Sequence, residues 1–138
     1  MAQSDLKTAV SAMKGIDIAM LVTKTKDGAI AARPMSNNKD VSSEDGTSYH
    51  FSTDDGRIDD DLKRDDQCGA TYAGDETYVA VQGRGKLHRD KALLEKHWVP
   101  DLEKWFEDGL DTDGLILIEV SPERIAYWKG REEGEWVA

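Results

Sequence analysis

The chain has 138 residues, of which 38% are hydrophobic and 33% are charged, so we expect one domain spanning residues 1–138 with its own core. Its formal net charge of −10 does not favour nucleic acid or an anionic membrane as a partner. No apolar run approaches the ~20 residues of a membrane span, and the first residues lack the long apolar stretch of a secretion signal. We therefore expect a cytoplasmic protein.

A helix followed by two strands is predicted for the first part of the chain. Apolar residues at helical spacing between positions 6 and 13 predict the helix, which ends at Gly15. The strand-like runs 18–26 and 29–35 flank Asp27-Gly28, a dipeptide typical of a type I′ hairpin turn. These two runs therefore predict an antiparallel hairpin.

The segment Arg33-Pro34-Met35-Ser36 ends the second strand and is the first candidate site. Pro34 has no backbone N–H, so this end of the strand cannot belong to a fully paired ladder. Arg33 presents a planar cationic group beside backbone groups that a ligand could bind. We expect Arg33 either to bind an anion such as a phosphate or to be a solvated arginine on an edge strand.

The remaining elements are short strands with helices between them. Strands are predicted at 48–53, 68–73, 77–88, 115–120 and 125–128, and helices at 55–64, 91–98 and from 100 through 106. Gly83 and Gly85 predict a bulge or a barrel corner, Asp90 is expected to cap a helix, and Ser121-Pro122 is expected to be a turn. Six or seven short strands suit a small antiparallel barrel, mainly β with flanking helices, whereas an open α+β sheet is the alternative.

Residues typical of catalysis or of metal binding do not form a recognisable site. The three histidines lack zinc-ligand spacing, and Gly83-Arg84-Gly85 lacks the third glycine of a dinucleotide fingerprint. Cys68 is expected to be a small buried thiol with no activating neighbour. The seven aspartates between 54 and 66 are expected to form a solvated helix face, with a divalent cation at Asp59-Asp60-Asp61 as the alternative. We predict no metal and single out no catalytic residue.

Several segments, taken in order, resemble one family of proteins. They are 32–36 (ARPMS), 49–53 (YHFST), 78–85 (YVAVQGRG), 97–100 (HWVP), 104–109 (KWFEDG) and 122–128 (PERIAYW). In this register the chain resembles the pyridoxamine 5′-phosphate oxidase-like, FMN-binding split barrels and, among them, the bacterial general stress proteins. The resemblance implies a six- to seven-stranded antiparallel split barrel and a homodimer, with FMN in a groove between the two subunits.

The resemblance also implies which residues contact the cofactor. The matching positions are Arg33 for the phosphate, Pro34, Met35 and Ser36 for backbone contacts along the flavin, the hydroxyl residues Ser52 and Thr53, and Trp128 as the late tryptophan that approaches the cofactor. Trp98, Trp105 and Phe106 are expected to be helix-packing core rather than flavin contacts.

One segment departs from the family pattern. The family's second phosphate segment usually has the form Ser-x-Lys, and an ungapped match places Gly56-Arg57-Ile58 there, so Arg57 is the remaining candidate cation. Because nearby aspartates repel a dianionic phosphate, we expect FMN to bind with modest affinity through Arg33 and Arg57. FAD shares the isoalloxazine and the first phosphate and fits the same positions. By the same match, Gly56→Ser with Ile58→Lys is expected to tighten FMN binding.

Two functions follow from the resemblance. The first is a flavin-binding general stress protein with or without a low FMN-dependent oxidoreductase activity, in which the cofactor does the redox chemistry. The alternative is a split-barrel dimer that has lost tight FMN binding and acts as a non-enzymatic, stress-related binding protein. A true pyridoxamine phosphate oxidase is not expected, because residues 132–136 (EEGEW) replace the basic tail that would bind a substrate phosphate.

Overall fold

The computed structural model describes residues 3–36, 39–54 and 57–138, with side chains from residue 5 onward. These residues form seven strands, three α-helices and two short 3₁₀ helices. In chain order they are α1 (Gln3–Lys14), β1 (Ile18–Lys24), β2 (Ile30–Ser36), β3 (Ser48–Thr53), α2 (Arg57–Arg64), β4 (Gln67–Gly74), β5 (Thr77–His88), α3 (Lys91–His97), the 3₁₀ helices Pro100–Lys104 and Gly109–Asp111, β6 (Leu115–Lys129) and β7 (Glu132–Val137).

All strand pairs are antiparallel and belong to one sheet. The strand order is β2-β1-β4-β5-β6-β3, and β7 pairs with the second half of β6. β2 and β3 are therefore the two ends of the strand order, and the sheet curls until these ends flank one groove. The predicted antiparallel split barrel is confirmed, and the open sheet considered as the alternative is wrong.

The β1–β2 hairpin is confirmed, but its predicted type I′ turn is wrong. The Gly28 N–H donates to the Thr25 carbonyl at 3.0 Å, and the Thr25 N–H donates to the Ala29 carbonyl at 2.9 Å. Gly28 has a φ of +81°, whereas Asp27 is not among the described non-glycine residues with positive φ. A type I′ turn needs positive φ at both central residues, so this loop is a type I turn followed by a left-handed glycine.

The predicted turn at Ser121-Pro122 is also wrong, because β6 runs through it as one long strand. The register between β5 and β6 shifts between Gln82 and Gly83, which confirms the predicted bulge. A Cβ atom on Gly83 would lie 2.2 Å from the Ser121 carbonyl oxygen, so only glycine allows this close approach. The bulge accommodates Pro122 inside a strand, so β6 continues far enough to pair with β7. The strand β7 was not predicted.

The barrel has two clusters of buried apolar residues. The larger one joins Leu6, Val10 and Met13 of α1 to inward-facing residues of the strands. The smaller one joins Phe51, Leu94, Leu102, Leu115 and Leu117 and holds α3 and the first 3₁₀ helix against β3 and β6. Burial of a side chain such as Phe51 contributes about 1.5–3 kcal/mol, so this second cluster keeps the segment after α3 in place beside β3.

The segment 91–106 differs from its prediction in two respects. Asp90 has the extended backbone of a capping residue, but its side chain makes no capping hydrogen bond to α3, so the predicted cap is wrong. The second predicted helix is a 3₁₀ helix that begins at Pro100 and ends at Lys104, so Trp105 and Phe106 lie beyond it. None of the described helices is long and apolar enough to cross a membrane.

Candidate functional site

A groove separates β2 from β3, where the two ends of the strand order face each other. It has a volume of about 180 Å³. Its lining includes Pro34, Met35 and Ser36 of β2 and Ser52 and Thr53 of β3. The structure therefore brings together five of the eight residues that the sequence places at the cofactor.

The strand edges that face this groove carry backbone hydrogen-bonding groups. The Tyr49 N–H donates to the Asp40 carbonyl at 3.1 Å, on the side of β3 that faces away from β6. Because backbone groups alternate along a strand, the N–H and C=O groups of Phe51 and Thr53 point to the same side. On the opposite wall, Pro34 contributes no donor, so the groove presents an uneven set of donors and acceptors to a ligand.

Buried His50 supports the β2 wall of the groove. Its Nδ1 lies 3.4 Å from the Ser36 carbonyl oxygen and its Nε2 lies 2.9 Å from Ser48 Oγ. Burial lowers the pKa of His50 to about 4, so the ring is neutral at pH 7. A neutral ring that donates from Nδ1 to Ser36 accepts at Nε2 from the Ser48 hydroxyl.

The aromatic residues at the mouth of the groove do not all match the expectation that they form core. Trp98 packs against Phe51 and Phe106, with ring centroids 5.1 Å and 6.1 Å apart. Trp105, however, is 51% exposed and lines the groove together with Phe106. Trp105 directly follows the 3₁₀ helix and its side chain is half exposed, so the expectation of a buried Trp105 is wrong.

Arg33, in the middle of β2, is held by Thr23 of β1 and Asp61 of α2. Its Nη2 donates to Thr23 Oγ1 at 3.0 Å and lies 3.7 Å from Asp61 Oδ2, while Thr23 Oγ1 donates to the same carboxylate oxygen at 2.9 Å. The Arg33 side chain is 19% exposed and the Asp61 side chain is 5% exposed. Arg33 is therefore an ion-paired, largely buried arginine, and the alternative of a solvated arginine is wrong.

The acidic segment is only partly the solvated helix face that was expected, since Asp60 is exposed on α2. Asp59 and Asp61 are both buried on α2. Lys63 and Arg89 lie 3.2 Å and 2.9 Å from Asp59, and Arg89 also lies 2.9 Å from Asp54. These cations offset the burial of the carboxylates, and the described residues contain no group of three side chains suited to a metal ion.

The second phosphate segment has a different geometry from the one its ungapped match implies. Arg57 is exposed at the first residue of α2, whereas Ile58 is 3% exposed and belongs to the larger apolar cluster. Gly56 lies outside the described residues. A lysine at position 58 would place its charge in the core, which argues against a phosphate ligand at that position.

Trp128 lies on a different surface from the other predicted cofactor residues. Its side chain is 43% exposed and lies across from Tyr78 of β5. These two side chains, with Ile18 and Met20 of β1, surround a shallow cavity of about 440 Å³ on the outer face of the sheet. Within one chain the structure therefore does not bring Trp128 to the groove between β2 and β3.

Sequence reasoning does not identify Thr23, Asp61 or Trp105 as parts of this region. Thr23 follows Leu21 on the inward face of β1. A hydroxyl at a core position could therefore have indicated that Thr23 has a buried polar partner. Cys68 matches its expectation, because it packs against the larger cluster and burial raises the pKa of its thiol to about 11.

Comparison with known proteins agrees with the resemblance seen in the sequence. The model of the family described as pyridoxamine 5′-phosphate oxidase like matches residues 4–137. General stress protein 26 of Bacillus subtilis is 36% identical over 58 residues, which are 42% of this chain and 41% of that protein. Protein bli-3 of Neurospora crassa is 29% identical over 101 residues, which are 71% of this chain and 48% of that protein. The chain thus spans less than half the length of these curated relatives.

A solved structure shows the same fold. The crystal structure of a protein from Clostridium acetobutylicum, described as related to general stress protein 26 of B. subtilis and as a member of the pyridoxinephosphate oxidase family, superposes with a TM-score of 0.83. The match covers 99% of this chain and 96% of that one at 16% sequence identity.

Proposed function

We propose that this chain, which belongs to the pyridoxamine 5′-phosphate oxidase like family, is a general stress protein that binds FMN between β2 and β3. One observation carries the proposal: the two ends of the strand order bring Pro34, Met35, Ser36, Ser52 and Thr53 to one groove. These residues are distant in sequence, and they meet where strand edges leave backbone groups available to a ligand. FAD, with the same ring and first phosphate, is the second candidate cofactor.

The residues around the groove suit the parts of a flavin. Trp105 and Phe106 offer aromatic surface to the ring, and the strand edges offer hydrogen-bonding groups to its polar rim. The hydroxyls of Ser52 and Thr53 and the guanidinium of Arg33 are suited to the ribityl phosphate, and Arg57 is a further cation on α2. When bound, FMN would supply the redox chemistry, which supports a low oxidoreductase activity.

A second copy of the chain completes the site in this proposal. The groove of about 180 Å³ is smaller than the ~300 Å³ at which ligand pockets usually begin. Trp128 lies on an exposed apolar face with Ile18, Met20 and Tyr78, which we call the apolar sheet face. Burying this face in a symmetric homodimer would bring the partner subunit to the groove. Trp128 of one subunit could then contact the cofactor bound by the other.

A second candidate function is a split-barrel dimer without tight FMN binding. The observation in its favour is the ion pair between Arg33 and Asp61, which reduces the charge available to a phosphate. This candidate keeps the groove and the dimer but assigns them to a non-enzymatic binding protein.

Titration of purified protein into FMN, followed by quenching of flavin fluorescence, tests the proposal. We expect saturable binding and expect Arg33→Ala to weaken it by about 1.5–3 kcal/mol, the range of a charge-assisted hydrogen bond. Arg131→Ala is the matched control, because it removes the same charge from an exposed turn between β6 and β7. Equal affinities of the two variants would place the phosphate elsewhere, and absence of binding to the wild type would favour the second candidate.

A further inference from the structure

We infer that Asp61 determines how strongly the groove prefers a phosphorylated flavin over an unphosphorylated one. The inference rests on the proposed flavin site and adds a specificity-determining residue to it. Asp61 is not expected to touch the flavin. It acts through Arg33, whose positive charge it shares.

Asp61 interacts with Arg33 both directly, as an ion pair, and through Thr23. Its Oδ2 receives the Thr23 hydroxyl at 2.9 Å and lies 3.7 Å from Arg33 Nη2, while Thr23 Oγ1 also accepts from Arg33 at 3.0 Å. The three groups therefore form a closed triangle across β1, β2 and α2. Because the Asp61 side chain is almost fully buried, solvent screens its charge much less than that of a surface carboxylate.

Three further cations around α2 are also engaged with carboxylates. Arg64 lies 3.3 Å from Asp61, and Lys63 lies 3.2 Å from Asp59. Arg89 lies 2.9 Å from both Asp54 and Asp59. The positive charge that these side chains could offer a phosphate is thus already shared with carboxylates before any ligand arrives.

A phosphate and a hydroxyl placed beside Arg33 meet different conditions. A dianionic phosphate must share Arg33 with Asp61 and is repelled by the Asp61 carboxylate. The terminal hydroxyl of an unphosphorylated flavin carries no charge and meets no such repulsion. The ring contacts of the two ligands are the same, so the ratio of their affinities isolates the effect on the phosphate.

The test measures dissociation constants for FMN and for riboflavin on three proteins: wild type, Asp61→Asn and Asp60→Asn. The amide oxygen introduced by Asp61→Asn can still accept the Thr23 hydroxyl, and Asp60 is an exposed neighbour on the same helix that undergoes the same change of charge. We expect Asp61→Asn to raise the preference for FMN over riboflavin by roughly 3- to 10-fold, as removal of one nearby buried charge implies. Asp60→Asn should leave the ratio unchanged, since water screens its charge.

A purely structural role of Asp61 gives a different result. If the carboxylate only supports the fold, Asp61→Asn lowers the affinities for both ligands together and leaves their ratio unchanged, and that outcome overturns the inference. An equal rise of the ratio in Asp60→Asn also overturns it, because the effect would then be one of net charge.

The wild type provides a test that does not depend on the folding of any variant. We expect its preference for FMN to be below about 10-fold, whereas an unopposed charge-assisted phosphate site would give roughly 100-fold. A preference near the larger value overturns the inference while supporting the proposed function. Binding of neither flavin overturns both, so the two failures are distinguishable.

Discussion

Trp105 is a half-exposed tryptophan that directly follows a short helix. The 3₁₀ helix Pro100–Lys104 stops one residue before it, and the side chain projects beside the groove instead of joining Trp98 and Phe106 in the second cluster. An exposed aromatic surface beside two strand edges suits the flat ring of a flavin. The contact would involve the ring alone and not the phosphate.

Replacing Trp105 tests this assignment. Trp105→Ala should weaken binding of FMN and of riboflavin equally, by about 1 kcal/mol, because the lost contact is to their common ring. Fluorescence titration of both ligands measures the effect, and Trp105→Phe should restore most of the affinity. An unchanged affinity for both flavins in the alanine variant would remove Trp105 from the site.

Arg33 shows how a residue's chemistry depends on partners that are far away in sequence. Its location before Pro34 in the second strand can be predicted from local rules, and so can its suitability for an anion. Its pairing with Asp61 cannot, because the two residues meet only after α2 packs against β1, the strand beside β2. The sequence therefore predicts the position of the candidate phosphate ligand, but it does not predict that Asp61 offsets the positive charge of Arg33.

At the scale of elements, β3 supports the groove through a buried histidine. His50 has a pKa of about 4 in the folded chain because burial disfavours its charged form, against an ordinary value of 6.5. The unfolded chain therefore binds a proton at this residue at higher pH than the folded chain does. Stability is greatest above pH 6.5 and is lost as the pH falls toward 4.

Urea unfolding between pH 7 and pH 5 tests this dependence, in a range where most carboxylates remain ionised. We expect the wild type to lose about 2 kcal/mol of unfolding free energy from His50 over that range. In His50→Asn, which can still donate to the Ser36 carbonyl, this loss should disappear. Parallel pH profiles for the two proteins would contradict the assignment of a buried, neutral His50.

Local patterns predict some elements well and others poorly, for physical reasons. β3 and β5 have the predicted bounds, because alternating apolar residues and flanking turn residues define them. β6 was predicted as two strands, since Pro122 disrupts a hydrogen-bonded ladder unless the partner strand forms a bulge beside it. Here a bulge at Gly83 of β5 allows Pro122 to remain inside β6. The bulge depends on close contact between Gly83 and Ser121, which are far apart in sequence.

The candidate site was predictable to a similar extent. Ser52 and Thr53 follow from the family resemblance, and the groove indeed places them opposite Pro34 and Ser36. Ile58 was misassigned because an ungapped match ignores which side of a helix faces the core. Helical geometry decides that orientation only after the helix docks.

At the scale of the whole molecule, the apolar sheet face predicts association. Trp128→Arg places a charge on this face and should convert a homodimer into a monomer, because an unpaired charge cannot be buried at an interface without a large penalty. Light scattering at micromolar concentration should give twice 15.3 kDa for the wild type and 15.3 kDa for the variant. Ile30→Arg, which changes an exposed apolar residue at the hairpin tip, should remain dimeric.

The dimer must form against a net charge of −10 on each chain. At physiological salt, charges separated by more than about 8 Å are largely screened, so apolar burial should prevail. A wild-type protein that is monomeric at micromolar concentration and still binds FMN would contradict both the dimer and the role of Trp128.

The most direct test of the central claim is a crystal structure of the protein with FMN bound. We predict that the flavin ring lies between Pro34–Met35–Ser36 of β2 and Ser52–Thr53 of β3, with its phosphate in contact with Arg33. Density for the flavin at any other surface of the chain, with the groove between β2 and β3 unchanged, would contradict the account.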